Sequence, residues 1–101
     1  QQLKELKEKV KKAIIDLAKR NCEVGLGGLQ IRQSFSYYEE EVYHIDKIYI
    51  DPGKESVRIL LDEYADSIEL SEFSIEDQVG IYEELEKIFT NPKYAHRIDY
   101  Y

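Results

Sequence analysis

The stretch that decides the fold is residues 42–64, VYHIDKIYI-DPGKES-VRILLDEY. Its outer segments, 42–50 and 57–64, are the part of the chain richest in β-branched and aromatic residues, which favour strands. Between them, Asp51-Pro52-Gly53-Lys54 is typical of a turn, because proline fixes φ and glycine accepts the positive φ of a type II turn. The stretch therefore predicts a β-hairpin on which the other elements pack.

The first strand of this hairpin does not alternate cleanly between apolar and polar positions. Its apolar residues fall into two parity groups, Val42, Ile48 and Ile50 against Tyr43, Ile45 and Tyr49. A β-bulge near Asp46-Lys47 would shift the register and place Tyr43 and Ile45 on the same face as Ile48 and Ile50. Alternatively, both faces of the sheet are covered, one by a helix and the other by a second helix or another subunit.

Two amphipathic helices are predicted on either side of the strands. Over residues 2–20, apolar side chains recur at alternating spacings of three and four, namely Leu3, Leu6, Val10, Ala13 and Leu17. A second helix is predicted over 71–89, with Ser71 and Ser74 as candidate N-caps and Asn91-Pro92 as its end.

The remaining segments predict two more strands and a tail. Gly27-Gly28 is typical of a two-residue hairpin turn joining strands at 22–26 and 29–38. The tail, residues 90–101, is rich in tyrosine, so we expect it to dock on the domain or on a partner. Residues 1–101 are accordingly predicted to form a single α+β domain: an N-terminal helix, an antiparallel meander of three to four strands, and a C-terminal helix packed on the sheet.

Charge is spread unevenly along the chain and bears on its partners. Residues 1–20 carry seven basic and three acidic side chains, a balance of +4, whereas residues 21–101 balance to −11, for a total of −7. An acidic body repels phosphate backbones, so nucleic acid is not expected as a partner. The basic helix could instead lie against the acidic body of a second copy.

Neither a membrane nor an oxidising compartment is indicated by the composition. No apolar run approaches the roughly 18 residues that a membrane span requires. The lone cysteine, Cys22, excludes an internal disulfide, so we expect a reducing, cytoplasmic location.

Catalytic and metal-binding chemistry finds little support in the sequence. Cys22, His44 and His96 are the candidate nucleophile and bases, but nothing in their spacing predicts that they meet. The glycines of 25–28 are not followed by the Lys-Ser/Thr of a phosphate loop, and the acidic residues do not match a calcium loop. We therefore predict a protein that is not an enzyme and has no cofactor or metal.

Tyrosine is the residue that points to a binding function. The chain has nine tyrosines and no tryptophan, and tyrosine is enriched at interfaces. The predicted contact surface consists of Tyr37, Tyr43, Tyr49, Tyr64, Tyr100 and Tyr101. The leading hypothesis is a small acidic protein-interaction domain that self-associates, for example as a homodimer, through a tyrosine-rich sheet face or an amphipathic helix. The alternative is an acidic inhibitor or nucleic-acid mimic that occupies a basic groove of an enzyme.

Overall fold

The computed structural model describes residues 2–22, 28–32, 35–38, 42–61 and 66–100, with the backbone alone for 35–38 and 42–44. Its helices are α1 (Gln2–Asn21) and α2 (Ile75–Thr90), and its strands are β1 (Leu29–Ile31), β2 (Phe35–Tyr38), β3 (Val42–Asp51), β4 (Ser56–Leu61), β5 (Ile68–Glu69) and β6 (Ile98–Tyr100). Two short 3₁₀ helices precede α2 and β6, at Leu70–Glu72 and Pro92–Arg97. The predicted α+β architecture is confirmed.

The described strands form one antiparallel sheet in the order β5-β4-β3-β1-β6, with β2 also paired to β3. Strand β3 is the centre of this sheet, because one edge pairs with β4 and the other pairs first with β2 and then with β1. Within residues 29–38, predicted as one strand, the structure describes two strands, β1 and β2, which pair with different parts of β3.

A single hydrophobic core lies between one face of the sheet and the two helices. Strand β4 alternates cleanly, with Val57, Ile59 and Leu61 buried and the residues between them half-buried. From the helices, Ile14, Ala18, Ile81 and Leu85 are fully buried in the same cluster. Within the described chain, no helix is both long and apolar enough to cross a membrane.

The irregular parity of β3 is resolved by a bulge. Ile45 pairs with Leu61 and Lys47 pairs with Leu60, so the register shifts between these two positions. Ile45, Ile48 and Ile50 are consequently all buried, at 1% exposure or less. The bulge predicted near Asp46-Lys47 is confirmed, and the burial of these isoleucines needs no second layer over the sheet.

The turn between β3 and β4 differs from the predicted type II turn. The positive φ falls on Glu55, at 51°, and not on Gly53. The Glu55 amide donates to the Pro52 carbonyl over 3.2 Å, and the Lys54 amide donates to the Asp51 carboxylate, also over 3.2 Å. The loop is thus a four-residue hairpin connection, closed by an i to i+3 turn whose last residue, Glu55, is left-handed.

The C-terminal tail supplies the strand beside β1. Leu29, Gln30 and Ile31 pair with Tyr100, Asp99 and Ile98, so both edges of β1 are occupied, by β3 and β6. For the hairpin predicted between 22–26 and 29–38, the structure describes only Cys22 of the first strand. Cys22 continues the end of α1, since its amide donates to the Ala18 carbonyl, and residues 23–26 lie outside the described residues. The expectation that the tail docks on the domain is confirmed.

Gly28 allows the backbone just before β1 to approach the backbone of β3 closely. Its φ is +85°, and a Cβ at this position would lie 2.4 Å from the Ile50 carbonyl oxygen. Only glycine tolerates both this backbone conformation and this approach.

Helix α2 begins at Ser74, one of the two predicted caps. The Ser74 hydroxyl accepts a hydrogen bond from the Asp77 amide over 3.2 Å, while Ser71 lies in the preceding 3₁₀ helix. The helix thus starts four residues after the predicted boundary, because the 3₁₀ turn takes up Leu70–Glu72.

Candidate functional site

The predicted tyrosine surface is spread over both sides of the sheet. Tyr49 pairs with Gln30, whereas Tyr100 pairs with Leu29, whose side chain is buried in the core. Because directly paired residues of an antiparallel sheet share a face and neighbours alternate, Tyr49 and Tyr100 lie on opposite faces. Tyr37 and Tyr43 are paired with each other in the β2–β3 ladder, and Tyr64 and Tyr101 lie outside the described residues.

The sheet face opposite the helices carries mainly polar side chains that contact one another. One cross-strand row runs through Asp99, Gln30, Tyr49, Arg58 and Glu69. Arg58 donates to Glu69 over 3.1 Å and to the Ser67 hydroxyl and carbonyl over 2.7 Å each. These bonds fasten β4 to the 67–69 segment.

A second arginine, Arg32, directly follows β1 and binds the C-terminal tail at residues 96–99. Arg32 forms an ion pair with Asp99 and donates to the His96 carbonyl over 3.0 Å. Its amide also donates to the Arg97 carbonyl over 2.8 Å. Side chains at both ends of the row are thus engaged within the chain, and Tyr49 is half-buried among them.

The helices present a different kind of surface. Among the described residues, the exposed large hydrophobic side chains are Leu3, Leu6, Val79 and Tyr100, and three of these four lie on α1 or α2. Leu3 and Leu6 belong to the apolar stripe that was predicted for the first helix. Farther along that stripe Leu17 is only 2% exposed, but Leu3 and Leu6 are 51% and 48% exposed. The stripe therefore extends beyond the surface that the core covers.

Helix α2 exposes one valine between glutamates. Glu76, Val79, Glu83 and Glu86 follow one another at spacings of three, four and three, so they share one face of the helix, and all four are exposed. Val79 is 41% exposed, whereas the neighbouring Gln78 is fully buried.

A small cavity lies where α1 meets the start of α2. Its volume is about 90 Å³, and its lining includes Lys7, Lys11, Glu69 and Gln78. The fully buried Gln78 donates from Nε2 to the Phe73 carbonyl over 2.9 Å, while its Oε1 has no hydrogen-bond partner. A cavity of this size has room for a few water molecules. Gln78 could not be singled out from the sequence, because a glutamine within an apolar stripe carries no signal of its own.

The candidate nucleophile lacks an activating environment. Burial raises the pKa of the Cys22 thiol above its usual value, and a hydrogen bond from Tyr100 lowers it by less. The thiol therefore stays protonated near neutral pH, unlike that of a nucleophilic cysteine. His96 is exposed in the second 3₁₀ helix, and the side chain of His44 is not described. In the parts of the chain that the structure covers, no group of three or more His, Cys, Asp or Glu side chains could hold a metal.

Comparison with known proteins returned no relatives. No protein-family model matches the chain, and neither a curated protein nor a solved structure shows significant similarity to it.

Proposed function

We propose that this chain is a non-catalytic protein-interaction domain that self-associates through its amphipathic helix α1. The observation that carries the proposal is the exposure of Leu3 and Leu6, at 51% and 48%, on a stripe whose continuation is buried. Apolar surface that extends beyond a domain's own core is characteristic of a contact site. A second molecule lying over this end of α1 would remove both leucines from water.

The leucines by themselves would support only weak association. Each is already half-buried, so full burial gains roughly 1 kcal/mol per side chain. A symmetric pair buries four such side chains, on the order of 4 kcal/mol before the cost of association, which corresponds at best to millimolar affinity. Further contacts along the helices have to contribute if the pair is to persist at micromolar concentration.

Sedimentation equilibrium from about 10 μM to 1 mM tests the proposal directly. We expect the average mass to rise with concentration for the native chain and to stay monomeric for Leu3→Ser/Leu6→Ser. Tyr49→Ser is the matched control on the sheet face and should associate like the native chain. A native chain that stays monomeric throughout overturns the proposal, and loss of association in Tyr49→Ser alone moves the contact to the sheet.

A second candidate function is an acidic inhibitor or nucleic-acid mimic. It is supported by the glutamates at positions 76, 83 and 86, which stand in one row on the surface of α2. Such a row would bind a basic groove through charge, and its affinity would fall steeply with salt.

Two charge-reversal variants distinguish self-association from nucleic-acid mimicry. Lys9→Glu/Lys12→Glu changes α1 and leaves the α2 row intact, so a mimic should keep its salt-dependent binding to a polybasic protein such as histone. Glu83→Lys/Glu86→Lys should abolish that binding. If the native chain shows no salt-dependent binding at all, the mimic hypothesis is wrong.

A further inference from the structure

We infer that α1 docks on α2 of a second copy, in a two-fold dimer in which each α1 lies along the partner's α2. This inference rests on the proposed self-association and adds the partner surface and its geometry. It is argued from the charges of the two helices and from the faces that they leave exposed.

The two helices carry equal and opposite charge. Helix α1 has seven basic and three acidic side chains, a balance of +4, and α2 has five acidic and one basic, a balance of −4. Contact between two copies of α1 would oppose +4 to +4, and contact between two copies of α2 would oppose −4 to −4. Of the like and unlike pairings, α1 against α2 is the one that brings opposite charges together.

Two-fold symmetry makes this pairing self-complementary. In an isologous interface, a contact of residue i with residue j is repeated as a contact of j with i. Each molecule therefore offers α1 to its partner's α2 and receives the partner's α1 on its own α2. The helices suit each other in length, since 20 and 16 residues correspond to about 30 and 24 Å.

The charges that this pairing needs are available at the surface. The ion pairs seen on these helices, Lys11 with Glu8 and Lys87 with Glu84, each lie within one helix. Lys9 and Lys12 on α1 and Glu83 and Glu86 on α2 are exposed and have no ion-pair partner among the described residues.

Apolar side chains accompany the charges on both faces. On α1, Leu6 lies three residues before Lys9, and on α2, Val79 lies four residues before Glu83, so each pair shares a face of its helix. Leu6 is 48% and Val79 41% exposed. A valine ringed by glutamates on one molecule and a leucine beside lysines on the other form a contact with an apolar centre and a charged rim, the usual anatomy of an interface.

Charge-reversal variants of the full chain test the arrangement by sedimentation equilibrium. Lys9→Glu/Lys12→Glu and Glu83→Lys/Glu86→Lys should each weaken self-association about 10- to 100-fold, because each opposes like charges twice in the symmetric pair. Mixing the two variants should restore association, since each α1 then meets an α2 of opposite charge. Lys54→Glu/Lys93→Glu, an equal charge change on exposed residues outside both helices, should leave association unchanged.

The results of these experiments test the α1–α2 pairing separately from self-association itself. A native chain that does not associate overturns self-association itself. A native chain that associates, with Glu83→Lys/Glu86→Lys as strong as the native protein, overturns the α1–α2 pairing while leaving self-association through α1 intact. Failure of the mixed variants to associate overturns the two-fold geometry, because that geometry predicts restoration at both contacts.

Discussion

The two halves of α1 carry the same apolar stripe but meet different surroundings. In the C-terminal half, Ile14, Leu17 and Ala18 are buried against the sheet and α2. In the N-terminal half, Leu3 and Leu6 follow the same periodicity and are half exposed. A hydrophobic period thus determines which face of a helix is apolar, whereas the extent of the core determines how much of that face is covered.

The two halves of α1 therefore contribute to different properties, the C-terminal half to folding stability and the N-terminal half to binding. Side chains in the C-terminal half hold the molecule together, and those in the N-terminal half are available to a second molecule. Substitutions of the same kind in the two halves should therefore have different consequences.

The largest expected difference is between two leucines of the stripe. Leu17→Ala should lower the free energy of unfolding by about 2–5 kcal/mol, since it leaves a cavity in the core. Leu6→Ala should lower it by less than about 0.5 kcal/mol in the monomer. Urea denaturation at a concentration below self-association measures both. Equal losses would mean that the monomer covers Leu6 as fully as Leu17.

The next largest effect is expected at the start of α2, which lies next to the N-terminal half of α1. Ser74→Ala removes the N-cap hydrogen bond to the Asp77 amide and should cost about 1 kcal/mol. Ser71→Ala, at the other serine that sequence proposed as a cap, should cost little. A reversed order in thermal unfolding would place the start of α2 at Ser71.

A smaller effect is expected at the contact that holds the N-terminal half in place. Lys7 Nζ donates to the Ser71 carbonyl over 3.0 Å at an exposed position. Lys7→Met keeps the aliphatic stem, so global stability should fall by less than about 0.5 kcal/mol. Amide exchange in residues 2–9 should nevertheless become faster than in Lys9→Met, since Lys9 makes no such hydrogen bond to another described residue. Equal exchange in the two variants would show that this hydrogen bond does not hold the helix.

The smallest effect lies at the opposite end of α1, where Cys22 contacts Tyr100. Because burial raises the thiol pKa in the folded state, the folded chain holds the proton more tightly than the unfolded one. The resulting stabilisation is complete below the unfolded pKa of about 8.5 and is lost as pH rises through the folded pKa. Denaturation midpoints between about pH 7 and 10 should therefore fall less steeply in Cys22→Ala. Parallel pH profiles would contradict this account.

Local patterns were sufficient to predict much of the fold. The two helices follow from three–four spacing, the Ser74 cap from a serine just before an apolar period, and the bulge from the parity change between Ile45 and Ile48. Each of these signals lies within a few neighbouring residues, so the sequence can show it directly.

Non-local features could not be predicted in this way. The pairing of β1 with β6 joins Ile31 to Ile98, and three residues at the end of a tail have no periodicity of their own. The positive φ at Glu55 instead of Gly53 arises because the loop length between the paired residues Asp51 and Ser56 selects the turn. For the candidate site, the composition of α1 predicted its amphipathic character, but the exposure of Leu3, Leu6 and Val79 depends on where the core ends.

The position of β6 also has a consequence for synthesis of the chain. Strand β1 leaves the ribosome about 70 residues before its neighbour β6, since Leu29 pairs with Tyr100. At roughly 5–20 residues per second, β1 lacks this neighbour for about 4–14 s. During that interval the hairpin of β3 and β4 and both helices can form, but the sheet cannot be completed. An unpaired strand edge favours pairing with other nascent chains, so this delay favours aggregation through β1.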